Sequence, residues 1–257
     1  MPSLKTAADI IKMERAGAVV AQILDGMQVM LVPGVSTGEV DAYAEAKCKE
    51  FGVRPVFKGY HGFPACVCIS INEEVVHGIP SFKRLVRDGD IVSLDFGVSL
   101  DGWVGDSART IPVGSVSASD LELIAVTKKS LELAIEQCVP GKRTGDIGAT
   151  VQKYVESFGF GVVREFVGHG IGKALHEEPA VPNFGTVGRG HVLRAGMVIA
   201  IEPMVTKGHY AVRVLEDDWT AVTIDGSRAA HWEHTVVITE RGPQVLTLSK
   251  VLREGRE

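Results

Sequence analysis

The strongest constraint on this chain is an internal duplication, in which one residue pattern occurs twice at an offset of 107 residues. "VPGVSTGEVDAYAEAKCKEFG" spans 32–52 and "VPGKRTGDIGATVQKYVESFG" spans 139–159. In each copy, Pro-Gly predicts the end of one helix and a Ser or Thr near an acidic residue predicts the cap of a second. A terminal Gly predicts where that second helix ends. The identical pairs are Val32/Val139, Pro33/Pro140, Gly34/Gly141, Thr37/Thr144, Gly38/Gly145, Ala42/Ala149, Phe51/Phe158 and Gly52/Gly159.

The same offset continues into the neighbouring elements. Apolar residues at three-to-four spacing predict helices over 7–31 and 119–138. "VRDGDIVSLD" aligns with "LRAGMVIAIE", which places Asp95 opposite Glu202. Because the same offset holds through helices and strands, a duplication explains the repeated pattern better than chance similarity between two amphipathic helices does. We predict one α+β domain over 1–257, with pseudo-symmetric halves of about 1–110 and 111–257, a central antiparallel β-sheet and flanking helices.

A predicted hairpin in the first half brings two aspartates together. "VSLDFGVSLDGWVGD" covers 92–106, and a two-residue type I′ turn at 101–102 places Asp95 opposite Ala108. Asp106 then lies on the same face, with its β-carbon at most ~7–8 Å from that of Asp95. Two carboxylates that close repel, so one protonates unless a cation lies between them. The alternative is that each caps a turn or pairs with Arg109 or Arg87.

Further acidic and imidazole side chains occur in apolar or glycine-rich segments of the second half. "FVGHGIGKALHEEP" carries His169, "AIEPMV" carries Glu202 and "HWEHTVVIT" carries Glu233. Singly these would be satisfied core or edge residues, but two Asp, two Glu and one His together indicate a dinuclear site for Mn, Fe or Co, with Zn possible. In such sites the ions lie ~3.5–4 Å apart and convert a bridging water to hydroxide near neutral pH. The predicted ligands are Asp95, Asp106, His169, Glu202 and Glu233.

Composition excludes several other functions. The net charge is −5 and there is no basic block, so we expect neither nucleic acid nor an anionic membrane as a partner. Neither a signal pattern nor an apolar run of ~18–20 residues occurs, so the expected location is the cytoplasm. Four cysteines make no disulfide framework, and Cys66 and Cys68 are expected to be half-buried thiols.

The motifs together resemble the type I methionine aminopeptidases. The matching strings are "SINEEVVHGIP", "DGDIVSLDFGV", "GHGIGKALHEEP", "IEPMV", "DDWTAVT" and "WEHTVVIT", and the resemblance runs from about residue 5 to 247. It implies the bacterial form without an N-terminal extension, with only a short C-terminal tail and the "pita-bread" fold. The five ligands alone would indicate only the wider superfamily, which includes prolidases, Xaa-Pro aminopeptidases and creatinases.

The resemblance also implies how the ligands divide between two divalent ions, which are Co, Mn, Fe, Ni or Zn. Asp95 would chelate one ion, Asp106 and Glu233 would bridge both, and His169 and Glu202 would complete the second. A metal-activated bridging water would attack the first peptide bond, with Glu202 as the proton shuttle.

Two further histidines and an apolar slot follow from the same resemblance. His77 would touch the scissile amide or the tetrahedral intermediate, and His176 would stabilise the developing oxyanion; the alternative is two satisfied imidazoles. A monovalent cation is expected near Asn72 and Glu74, although Ala229 stands where the family often has serine. The methionine slot would be lined by Tyr60, Phe63, Cys68, His77, Leu175 and Trp219, with Phe57 at the same wall.

The implied activity is removal of initiator methionine from nascent proteins when the second residue is small. The enzyme is expected to be a cytoplasmic monomer that meets its substrates at the ribosome. One alternative is an Xaa-Pro aminopeptidase or prolidase-type enzyme. A second alternative is a non-catalytic pita-bread relative that only binds partners, although such relatives typically lose ligands and this chain keeps all five.

Overall fold

The structure, a computed structural model, describes residues 2–248, so the part of the predicted tail beyond residue 248 lies outside the described residues. The helices are α1 (Ala7–Met30), α2 (Thr37–Phe51), α3 (Ala118–Glu136) and α4 (Thr144–Glu156). The strands are β1 (Arg54–Pro55), β2 (Cys68–Ile71), β3 (Glu74–Val76), β4 (Ile91–Leu100), β5 (Trp103–Pro112), β6 (Gly161–Val162), β7 (Gly168–Gly170), β8 (Glu177–Val181), β9 (Val198–Ile201), β10 (Met204–Thr206), β11 (Val212–Val214), β12 (Ala221–Thr223), β13 (Ala229–His231), β14 (His234–Thr239) and β15 (Gly242–Val245). None of the helices within residues 2–248 is long and apolar enough to cross a membrane.

The four helices match the predicted pairs, with one difference at a helix start. Ser36 caps α2 and forms a reciprocal capping box with Glu39. In the second copy the predicted Ser or Thr cap is wrong, because Thr144 is already the first helical residue and Arg143 occupies the cap position. Asp146 accepts a hydrogen bond from the Arg143 backbone N–H at 2.7 Å, so the acidic half of the box remains.

The duplication is visible in the backbone as well as in the sequence. An isolated bridge joins Ser36 to Leu85, and the corresponding bridge, 107 residues later, joins Arg143 to Val192. In each half the helix pair packs on a sheet through its own apolar core. The equivalent sheet strands are β4 in the first half and β9 in the second.

The strands pair antiparallel throughout, in four sheets. The predicted hairpin is β4–β5, where Asp95 pairs with Ala108 in the expected register. Its turn residues, Asp101 and Gly102, have φ values of 51° and 79°, as a type I′ turn requires.

The two halves meet along a seam that combines one strand pairing, β3 with β12, with hydrogen bonds made by side chains. The Thr235 hydroxyl accepts from the Asp106 backbone N–H at 3.0 Å and donates to its carbonyl at 2.8 Å. The Ser107 hydroxyl donates to the Glu233 carbonyl at 2.7 Å. These bonds fix the backbone of Asp106 beside that of Glu233, at the junction of the halves.

Candidate active site

A cavity of about 360 Å³ opens at the seam between the two halves. Every catalytic, metal-ligating and slot residue that the sequence predicted lines this cavity, and His61 joins them. The lining residues are Phe57, Tyr60, His61, Phe63, Cys68, His77, Asp95, Asp106, His169, Leu175, His176, Glu202, Trp219 and Glu233.

The predicted ligands reach the cavity from five short segments of strand or strand end. Asp95 lies within β4 and Asp106 within β5, while His169 is the central residue of β7. Glu202 directly follows β9, and the Asn183 side chain holds its backbone carbonyl with a 2.9 Å hydrogen bond. Glu233 lies between β13 and β14, with its N–H bonded to the Ala108 carbonyl.

Three carboxylates in this cavity each have one buried oxygen without a hydrogen-bond partner among residues 2–248. Asp95 Oδ1, Asp106 Oδ1 and Glu233 Oε1 are buried and accept no hydrogen bond there. Burial, with repulsion from the neighbouring carboxylates, raises the pKa of Asp95, Glu202 and Glu233 well above ordinary values. Burial likewise raises the pKa of Asp106 to about 7.

Arginine pairing does not explain the two aspartates. The Arg109 guanidinium instead bonds to Asp25 at 2.7 Å, on the α1 side of the sheet. Buried carboxylates gathered without a basic partner are costly unless cations neutralise them. The donor set therefore fits bound divalent cations.

His169 has the tautomer that suits a metal ligand. Its Nδ1 lies 2.9 Å from the Gly170 carbonyl, which can only accept, so the ring hydrogen is on Nδ1. Nε2 is then free to bind an ion, and it lies 3.6 Å from Glu202 Oε1. Burial lowers the pKa of His169 to about 4, which keeps the ring neutral. Donor atoms of His169, Asp106 and Glu233 all lie within 4.8 Å of one another.

The other side of the cavity is apolar and aromatic. The rings of Phe63 and Trp219 meet edge to face at 5.1 Å, and the His77 ring lies 6.2 Å from Trp219. Burial lowers the pKa of His77 to about 4. Cys68 pairs with Asp95 across β2 and β4, and its thiol is buried rather than half-buried, as is that of Cys66. An apolar, sulfur-containing wall of this kind suits a flexible thioether side chain.

Three residues near the site were not predicted from the sequence. His231 is 1% exposed, its ring nitrogens have no hydrogen-bond partner within residues 2–248, and Nε2 lies 3.9 Å from Glu202 Oε2. Its position two residues before Glu233 in "AAHWEHT" was an available signal. The rings of Phe166 and His77 have centroids 5.2 Å apart, and Phe166 carries no sequence signal. The rings of His61 and Tyr60 meet edge to face with centroids 4.4 Å apart. The available signal for His61 was the resemblance of "GYHGF" to "VGHGI", which places it opposite His169.

The expected monovalent-cation segment lies apart from this cavity. The Asn72 side chain donates to Asp90 at 2.8 Å and accepts from the Ile91 N–H at 3.1 Å. The Glu74 carboxylate pairs with Arg84. The structure therefore gives both predicted side chains protein partners.

Fold and site together define a metallopeptidase. The model of "metallopeptidase family M24" matches residues 11–240, so this chain belongs to that family. The α+β, pita-bread fold predicted from the sequence is confirmed by solved structures. A prolidase from Pyrococcus horikoshii superimposes with a TM-score of 0.78 at 25% identity, covering 96% of this chain and 64% of that one.

Within the family, the similarity to methionine aminopeptidases is much greater. The enzyme of Clostridium acetobutylicum is 51% identical over 245 residues, which are 95% of this chain and 98% of that protein. The methionine aminopeptidase structure from Thermotoga maritima has a TM-score of 0.95 at 48% identity and covers 96% and 99% of the two chains. The resemblance to the bacterial type I enzymes is thus confirmed.

Proposed function

We propose that this chain is a metal-dependent aminopeptidase that removes the N-terminal methionine of new proteins when the second residue is small. The observation that carries the proposal is the cavity, in which uncompensated buried carboxylates stand beside an apolar slot. The high identity to methionine aminopeptidases over nearly the whole chain supports the same activity.

Two divalent ions drawn from Co, Mn, Fe, Ni and Zn are proposed as cofactors. They would be held by Asp95, Asp106, His169, Glu202 and Glu233. When bound, the ions supply a water of lowered pKa and polarise the substrate carbonyl. One all-carboxylate side and one histidine-containing side suit ions of hard-to-intermediate character.

Glu202 is proposed as the group that moves the proton from the attacking water to the departing amine. One carboxylate oxygen lies toward His169 and the other toward His231, at 3.6 and 3.9 Å.

The two cavity histidines are proposed to act on the substrate amide. Both are neutral in this setting, because burial lowers the pKa of His77 to about 4 and also lowers that of His176. A neutral imidazole donates one hydrogen bond, and His176 would give it to the carbonyl oxygen as negative charge develops there. His77 would contact the scissile amide.

The apolar wall is proposed as the slot for the methionine side chain, and the space beside His77 as the limit on the second residue. The slot is formed by Phe57, Tyr60, Phe63, Cys68, Leu175 and Trp219. Burying an unbranched side chain in a preformed apolar pocket gives both affinity and selectivity.

We further propose that the protein acts in the cytoplasm as a monomer on chains emerging from the ribosome. Residues 1–257 would form one catalytic domain. A monovalent cation near Asn72 would be held by backbone oxygens, because the Asn72 and Glu74 side chains already have partners.

The test is peptide cleavage by protein stripped of metal, with each divalent ion then added back singly. We expect release of methionine from Met-Ala-Ser only after an ion is restored, and little from Met-Lys-Ser. Glu202→Gln serves as the inactive control. Cleavage of Xaa-Pro peptides in preference to Met-Ala-Ser would favour the prolidase-type alternative, and activity unaffected by chelation would contradict the metal mechanism.

A further inference from the structure

A hydrogen bond joins the cavity wall to one of the proposed catalytic histidines. The Tyr60 hydroxyl lies 2.6 Å from His176 Nδ1, although the two residues are 116 positions apart in the chain. The rings are 5.3 Å apart. Within residues 2–248 the Tyr60 hydroxyl has no other hydrogen-bond partner, so this contact accounts for its polar end.

The chemistry of the two groups determines which atom donates. A neutral imidazole has one N–H and one bare nitrogen, and the bare nitrogen is a basic acceptor. A phenol hydroxyl is a good donor and its oxygen a weaker acceptor, so O–H···N is favoured over N–H···O. When Nδ1 accepts, the ring hydrogen must be on the other nitrogen, Nε2.

The backbone around His176 is already fixed, so ring orientation is the freedom that remains. Glu177 receives a buried Lys5 ammonium at 2.8 Å, and its other oxygen accepts backbone N–H groups of Lys173 and Ala174. On one side of the His176 ring lies His169, with centroids 4.3 Å apart. Tyr60 supplies the remaining polar contact.

We propose that Tyr60 is a positioning residue, which donates its hydroxyl hydrogen to His176 Nδ1 and so keeps the hydrogen of that ring on Nε2. This inference rests on the proposed function, in which His176 donates to the substrate carbonyl oxygen. With the hydrogen on Nδ1 instead, His176 would present a lone pair to a developing negative charge and repel it.

The competing interpretation is that Tyr60 only walls the methionine slot. Tyr60→Phe separates the two, because it removes the hydroxyl and keeps the ring. The matched control is Tyr154→Phe, a hydroxyl deletion on α4, where the ring packs against Phe158 away from the cavity.

The first measurement is independent of activity. Histidine side chains are labelled with ¹⁵N in metal-free protein, and His176 is assigned by its absence in His176→Asn. We expect a protonated Nε2 and an unprotonated, hydrogen-bonded Nδ1 in the wild type and in Tyr154→Phe. In Tyr60→Phe the two shifts should move toward each other as the tautomers mix. A protonated Nδ1 in the wild type would overturn the inference.

The second measurement is cleavage of Met-Ala-Ser by metal-loaded protein. We expect kcat of Tyr60→Phe to fall about two- to fivefold, much less than the about 10²–10³-fold lost with an oxyanion donor itself, because the Nε2–H tautomer stays partly populated. KM should remain nearly unchanged. A raised KM with unchanged kcat would identify Tyr60 as slot wall only and reject the proposal. A wild type inactive on methionine peptides would refute the proposed function, while the ¹⁵N result would still decide the tautomer.

Discussion

Removing one charge from the carboxylate cluster should stabilise the metal-free protein while greatly weakening its stabilisation by metal. Asp106 is 3% exposed, and burial raises its pKa from 3.8 to about 7. At 1.36 kcal/mol for each unit of pKa, keeping it ionised at pH 7.5 costs the folded state about 4 kcal/mol. Asp106→Asn removes that cost and leaves the side-chain shape unchanged.

The gain is reduced by the hydrogen bonds that the new amide must make. Asp106 Oδ1 has no partner within the described residues, and an unsatisfied polar group costs about 1–3 kcal/mol. Part of that cost is recovered where the amide N–H groups face neighbouring carboxylates. The expected net stabilisation is therefore about 2 kcal/mol, which for a chain of this size raises the Tm by about 4–8 °C.

The assay is thermal unfolding followed by circular dichroism at pH 7.5, in chelator and then with excess Mn²⁺. The wild type should gain about 3 kcal/mol at an ion concentration 100 times its Kd, whereas Asp106→Asn should gain far less. Asp101→Asn is the matched control, because this exposed turn residue of the same hairpin should change stability by less than about 0.5 kcal/mol. A lower Tm for metal-free Asp106→Asn, or an undiminished metal response, would refute the reasoning.

Three further predictions concern pH, a buried ion pair and proton transfer. Between about pH 6.5 and 8 the stability of metal-free protein should fall as pH rises. The reason is that the raised carboxyl pKa values make the folded state bind more protons than the unfolded state. Below about pH 6.5 the lowered histidine pKa values have the opposite effect on stability. Urea unfolding across this pH range should show the decrease, and a free energy of unfolding that does not change with pH would contradict the prediction. Lys5→Met should lower the free energy of unfolding, measured in urea, by about 2–3 kcal/mol, since it leaves the Glu177 carboxylate without its buried ammonium partner. The double variant Lys5→Met/Glu177→Gln should recover part of that loss. If the effects of the two substitutions simply add, the two side chains are not coupled. Glu202→Gln should lower kcat for Met-Ala-Ser by at least about 10²-fold, as loss of a general acid–base does, with a folded far-UV spectrum; near-normal turnover would remove Glu202 from the proton path.

The features that sequence alone could predict are those set by local rules. The β4–β5 register followed from one turn, because a two-residue I′ turn leaves a single antiparallel pairing, and Asp95 lies opposite Ala108 as that pairing requires. The helix pairs followed from apolar spacing and Pro-Gly stops. The resemblance supplied the ligand and slot residues, all of which line one cavity.

What sequence could not predict depends on contacts between distant segments. The hydroxyls of Ser107 and Thr235 that join the halves look like ordinary strand residues until both sheets are in place. The same holds for Lys5, whose partner lies 172 residues away. Nothing local distinguishes these polar groups from solvent-facing ones, because their roles arise only when the seam excludes water.

The duplication explains the positions of only some of the predicted ligands. Asp95 and Glu202 occupy equivalent positions in the two halves, so one carboxylate from each copy reaches the seam by symmetry. The other predicted ligands follow the duplication less closely. Asp106 comes from the second strand of the first-half hairpin and Glu233 lies between β13 and β14. His169 aligns with His61, because "VGHGI" resembles "GYHGF" at an offset of 108 residues. The predicted donor set is therefore uneven: the His169 imidazole lies beside Glu202, with Nε2 3.6 Å from Oε1, and the other predicted donors are carboxylates. The duplicated backbone thus brings one carboxylate from each half to the seam, and the His169 imidazole adds a donor softer than the carboxylates around it.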